Sequence, residues 1–156
     1  MKYVVACICI CVCCTKENNG FKAERSAYIF LGNVHKEEVF TLTYLKNKNK
    51  TVYTYVSKAD TSKTITVTKP VKHKKLLWGA DTFIKSNRAP FKCEKLANLP
   101  FDFYYLETTV TDGTGPLLFN VNYGLLAIHN NFGPNVIFLK YKNDTLAKQL
   151  QYKWNE

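Results

Sequence analysis

The side chains best suited to chemistry are six cysteines and three histidines. Five cysteines, Cys7, Cys9, Cys11, Cys13 and Cys14, crowd into the first fourteen residues, and Cys93 stands alone. A thiolate metal site needs ligands spaced by two to four residues and commonly a nearby histidine. The run C-x-C-x-C-x-C-C has neither, and Val4, Val5, Ile8, Ile10 and Val12 interleave it. In such company cysteine acts as a small hydrophobe. His35, His73 and His129 fall in no H-x-x-x-H or H-E-x-x-H spacing, so no metal site is expected.

Nucleophilic catalysis finds no better support. There is no G-x-S-x-G elbow and no phosphate-cradling glycine loop; Asp112-Gly113-Thr114-Gly115-Pro116 reads as a turn. Asp102 and Glu107 are five residues apart, which puts them on opposite faces of a strand and out of reach for paired acid–base work. A Cys93/His129 dyad has no local support. The expectation is a binding protein with no catalytic residues, no metal and no cofactor.

Charge is the stronger signal. Lys and Arg number 22 against 12 Asp and Glu, for a formal +10. Residues 41–100 hold thirteen bases against three acids, whereas residues 15–40 balance and residues 101–156 carry one excess acid. The densest run is Lys69-Pro70-Val71-Lys72-His73-Lys74-Lys75. Lys63, Lys69, Lys72, Lys74, Lys75 and Arg88 are therefore candidate polyanion contacts, for sulfated glycan or an anionic cell surface. Nucleic acid is the poorer candidate, because base readout and phosphate clamping favour arginine and only Arg25 and Arg88 are present. The plainer reading is a solvated surface that maintains solubility.

These side chains must be held by a scaffold, and its start is a special segment. Residues 1–14 have the parts of a secretory signal peptide: Lys2, then an apolar stretch from Tyr3 to Val12, then small residues before the polar run from Thr15 to Gly20. The expected mature unit is a single β domain over residues 15–156, secreted, with its first residue between positions 13 and 18. A buried N-terminal strand is one alternative, because Val, Ile and Cys suit strands. Lipid anchoring through Cys14 is another, opposed by Cys13 where a small residue should precede the modified cysteine. No other apolar run reaches the length of a spanning helix. The sequons at Asn49 and Asn143 fit a glycoprotein.

Beyond the leader, apolar residues recur with period two in runs of five to eight. Thr51 to Val56, Ser62 to Lys69, Phe101 to Val110, Pro116 to Tyr123, Leu125 to Ile128 and Val136 to Tyr141 read as strands, separated by turn chemistry. Lys69 to Pro100, with three prolines, reads as loop or one helical turn, and the segment from Asp144 as either a capped helix or a last strand. Eight to ten strands with at most one short helix predict an all-β fold: an antiparallel up-and-down barrel, lipocalin-like in architecture, or a β-sandwich. The G-x-W signature of the lipocalin family itself is missing near the N-terminus. Ten Phe, ten Tyr and two Trp fill such an interior or line a pocket in it. In the pocket reading Phe103, Tyr105, Phe119, Val121 and Tyr123 face a small apolar or amphipathic ligand.

Overall fold

The computed structural model describes residues 19–153 except 33, 109 and 112, so the leader predicted over 1–14 lies outside the described residues. Ten antiparallel strands close into a barrel: β1 (Asn19–Leu31), β2 (Val34–Lys46), β3 (Lys50–Ser57), β4 (Thr64–Pro70), β5 (Lys75–Trp78), β6 (Asp81–Lys85), β7 (Asp102–Leu106), β8 (Thr114–Asn120), β9 (Gly124–Asn130) and β10 (Asn135–Leu139). Each strand pairs with its sequence neighbours, and β1 with β10 closes the ring, which resolves barrel against sandwich. Closure pairs both sides of every strand over part of its length, so the ring has no free edge strand, the hazard of an open sheet.

Alternation decides what faces inward. Phe40 and Leu42 on β2, Tyr53 and Tyr55 on β3, Val67, Phe83, Tyr104, Phe119 and Phe138 form one buried cluster. Their rings meet edge-on or tilted: Tyr53 and Phe119 at 5.0 Å between centroids, Tyr55 and Phe138 at 4.8 Å, Phe40 and Phe138 at 5.9 Å. Such ring pairs add to the gain from burial. The filled-core reading of the aromatics describes this interior.

A second cluster lies on the outer face of β1, β9 and β10. A helix, α1 (Asp144–Lys153), covers it with Leu146, Ala147 and Leu150. Asn143 accepts the Leu146 N–H on its side-chain oxygen at 2.9 Å, an N-cap that settles the capped-helix alternative. Tyr28 of β1 pins the same end: its hydroxyl donates to Asp144 at 3.0 Å and accepts the Asn143 N–H at 2.7 Å. Burial pushes that phenol up to about 12. Segment 91–99, with a 3-10 turn at Glu94–Leu96, covers the rest through Phe91, Cys93, Leu96 and Leu99.

One expectation fails in the stretch read as loop. Residues 75–85 form a hairpin, β5 and β6, joined by Gly79-Ala80 with Gly79 at φ +58. Its strands of four and five residues, flanked by lysines, are too short for an alternation to stand out.

Candidate functional site

In an up-and-down barrel alternate turns share an end. Residues 47–49, 71–74, 86–101, 121–123 and 140–143 thus lie at one end, which gathers Lys48, Lys72, Lys74, Arg88, Lys92, Lys95, Lys140 and Lys142 against Glu94 alone. Among the described residues the opposite turns hold Lys58 and Lys63 against Asp60 and Glu107. About half of the +10 excess in residues 41–100 thus lies in the turns of one end, and with Lys140 and Lys142 it makes a field at one mouth of the barrel.

The predicted polyanion set divides accordingly. Lys72 and Lys74 are exposed on the β4–β5 turn, with Lys75 half-buried beside them. Arg88 lies on the same end, its guanidinium 4.3 Å from the centroid of the Phe103 ring. Lys63 is at the far end, 3.6 Å from Glu38 and 4.0 Å from Asp60. Lys69 folds back instead of facing water: its Nζ donates to the carbonyl of Pro70 at 3.1 Å and to that of His73. Burial, then repulsion from Lys85, holds its pKa below the usual lysine range. Lys69 is a brace for the turn.

The five predicted ligand contacts also separate. Phe119 points into the barrel cluster. Phe103 and Tyr123 belong to the outer cluster, Tyr105 is 39% exposed and Val121 is 50% exposed. A single face running from Leu117 to Tyr123 does not exist, because β8 ends at Asn120 and the chain turns there. On the neighbouring strand a bulge leaves Leu126 over: Leu118 pairs with Ala127 and Phe119 with Leu125. Both sequons are on the surface: Asn49 sits in the β2–β3 turn, and Asn143 caps α1.

Outside the barrel, where segment 95–99 and α1 flank β10, an apolar cleft of about 250 Å3 opens at the basic end. Leu96, Ala97, Leu99, Tyr123, Leu139 and Leu146 line it, and Lys95, Lys140 and Lys142 stand at its edge. Lys142 is paired with Glu37 of β2, and Lys95 reaches Gln149 of α1 at 2.9 Å. Tyr123 is the keystone. Its hydroxyl donates to the Phe138 carbonyl at 2.9 Å, its ring meets Phe101 edge-on at 5.1 Å, and two cations flank it, Arg25 at 4.8 Å and Lys140 at 5.6 Å. Burial pushes the phenol up to about 12 despite the opposing pull of Arg25. Leu139 lies in a segment the alternation read as a strand, whereas Leu96 and Leu99 sit where the pattern read as loop, although their spacing was a readable clue.

A buried carboxylate marks the other half of the barrel. Glu38 faces inward on β2, accepts the Ser57 hydroxyl and lies 3.6 Å from both Lys36 and Lys63. The Ser57 bond first, then the two lysines, hold its pKa below the usual range against the cost of burial. His35 stacks on Phe30, His73 is exposed, and the His129 ring meets the Gly115 carbonyl at 3.2 Å. Cys93 and His129 lie toward opposite ends of the barrel, and among the described residues no three His, Cys, Asp or Glu converge as metal ligands. Among the described residues no helix is long and apolar enough to cross a membrane.

Comparison with protein-family models, with curated proteins and with solved structures yields no match. The fold and site define the class: a closed ten-stranded antiparallel barrel with an aromatic core, an outer helix and an apolar cleft at its basic end.

Proposed function

We propose that the protein is a non-catalytic binder of small amphipathic anions, and that the ligand seats in the cleft between segment 95–99, β10 and α1. The leader-like residues 1–14 make export part of that reading. One observation carries it: a concave apolar surface of Leu96, Leu99, Tyr123, Leu139 and Leu146 is lined also by Lys95, Lys140 and Lys142, of which Lys142 is paired with Glu37. An alkyl chain gains from the floor and a carboxylate or sulfate from the rim. The interior aromatics, which pack on one another, support the cleft from behind.

Calorimetric titration with straight-chain carboxylates tests this. Octanoate is expected to bind saturably and more tightly than hexanoate, by about fourfold per added methylene at ~0.8 kcal/mol per buried CH2. Octanol should bind more weakly than octanoate. Leu99→Asp, at a half-buried position, should cost at least tenfold in octanoate affinity. No saturable heat, or an unaffected Leu99→Asp variant, would exclude the cleft as the ligand seat.

The gathering of eight basic residues in the turns of one end favours a second reading, docking on a polyanion such as sulfated glycan. The protein should then elute from heparin above roughly 0.3 M NaCl, where surface electrostatics are strongly screened. Lys72→Ala, Lys74→Ala and Lys75→Ala together should lower that salt concentration and leave Tm nearly unchanged. Elution at low salt counts against it.

A further inference from the structure

β1 continues past the end of β10: the two pair from Ser26 with Leu139 to Phe30 with Asn135, so the half of β1 before Ser26 has only β2 as a strand neighbour. Arg25 stands at that step. It shares the inward phase of β1 with Ala27, pairs across to Phe40 of the core, and is 3% exposed. Nη1 donates to the Glu24 carbonyl at 2.9 Å and Nη2 to the Tyr123 carbonyl at 3.1 Å. Nε has no partner, and no carboxylate pairs with the guanidinium among the described residues.

A guanidinium cannot shed its charge in a protein. Burying it without an anion costs several kcal/mol, and two neutral carbonyls and a ring face offset only part of that. A cavity of about 470 Å3 adjoins it, and Phe21, Asn122, Lys140 and Tyr141 also line the space. Glu24 contributes to the same wall, but its carboxylate is engaged by Lys58. The solvent-open cavity thus brings together the wall formed by the buried Arg25, a second cation in the exposed Lys140, an amide in Asn122 and two aromatic flanks.

We propose that this cavity is an oxyanion site, in which Arg25 and Lys140 take the carboxylate or phosphate end of a small molecule. Carboxylate and phosphate oxygens both suit a guanidinium, and hydrogen bonds between charged partners are the stronger kind. The site abuts the apolar cleft through Lys140 and Tyr141 but needs no alkyl tail, so it stands or falls separately.

Amide chemical-shift titration of the 15N-labelled protein with acetate and with phosphate, at ionic strength held constant with NaCl, decides it. The expected result is saturable shifts in Ala23 to Ser26, Asn122 to Tyr123 and Lys140 to Tyr141, at least tenfold weaker binding in Arg25→Met and several-fold weaker binding in Lys140→Met. Tighter binding of acetate names a carboxylate ligand, and the reverse order names a phosphate. Lys140 is exposed, so its variant reports even where Arg25→Met fails to fold. Shifts that grow linearly without saturation, that saturate elsewhere, or that keep an unchanged affinity in Lys140→Met overturn the proposal. Octanoate binding that persists while acetate and phosphate fail leaves the cleft reading intact.

Discussion

Gly124→Ala is expected to destabilise the barrel by roughly 2–5 kcal/mol, from a left-handed backbone cost and from overpacking together. Gly124 has φ +89, and a Cβ built on it would stand 2.2 Å from the Tyr55 hydroxyl oxygen and 3.4 Å from Tyr53 Cδ1. Tyr55 cannot retreat, because its hydroxyl accepts the Leu125 N–H at 2.7 Å and its ring packs at 4.8 Å on Phe138. Tyr53 is held likewise, donating to the Val121 carbonyl at 2.7 Å. Burial raises both phenols, so they remain neutral donors and acceptors. Thermal unfolding should show Tm lower by roughly 4–20 °C for a domain of this size. Tyr55→Phe removes the clashing oxygen at the cost of an unpaired Leu125 N–H, about 1–3 kcal/mol. The double variant should therefore lose less than the sum of the two single losses, a coupling between contacting residues. Strict additivity would refute the close approach.

Leu150→Asp should detach α1 and leave the barrel folded. Leu150 is buried with Leu146 and Ala147 against the outer cluster, and a carboxylate there has no partner. An uncompensated buried charge costs several kcal/mol, more than a ten-residue helix recovers from its cap and its own hydrogen bonds. The helix meets the sheet chiefly at β10, so its release need not open the ring. Amide exchange over 144–153 should accelerate at least a hundredfold while Tyr53 and Tyr55 stay protected. Octanoate binding should fall at least tenfold in parallel, since Leu146 is part of the cleft wall. Retained helix protection, or whole-domain unfolding, would show that α1 is integral to the barrel.

Legibility along the chain followed the range of the interactions. Thr51 to Val56 spells its strand in alternation, and Tyr53 and Tyr55 do face inward. The helix at Asp144 was readable as one of two alternatives because a cap is satisfied three residues away, and the structure puts that cap on Asn143. Tyr123 was misplaced because β8 ends at Asn120 and the turn over 121–123 breaks the period-two phase before β9 begins at Gly124. Arg25 escaped notice because its burial depends on where β10, over a hundred residues later, happens to end.

Composition and periodicity alone determined that this chain is all-β, aromatic-rich and basic only in its middle third, since those properties sum over local residue choices. Ring closure, the gathering of alternate lysine turns at one end, the division of the aromatics between an inner core and an outer cleft, and the orphan charge of Arg25 belong to the tertiary structure. Each depends on which distant segments meet, and a side chain's solvation and field are set by those neighbours and not by its position in the chain.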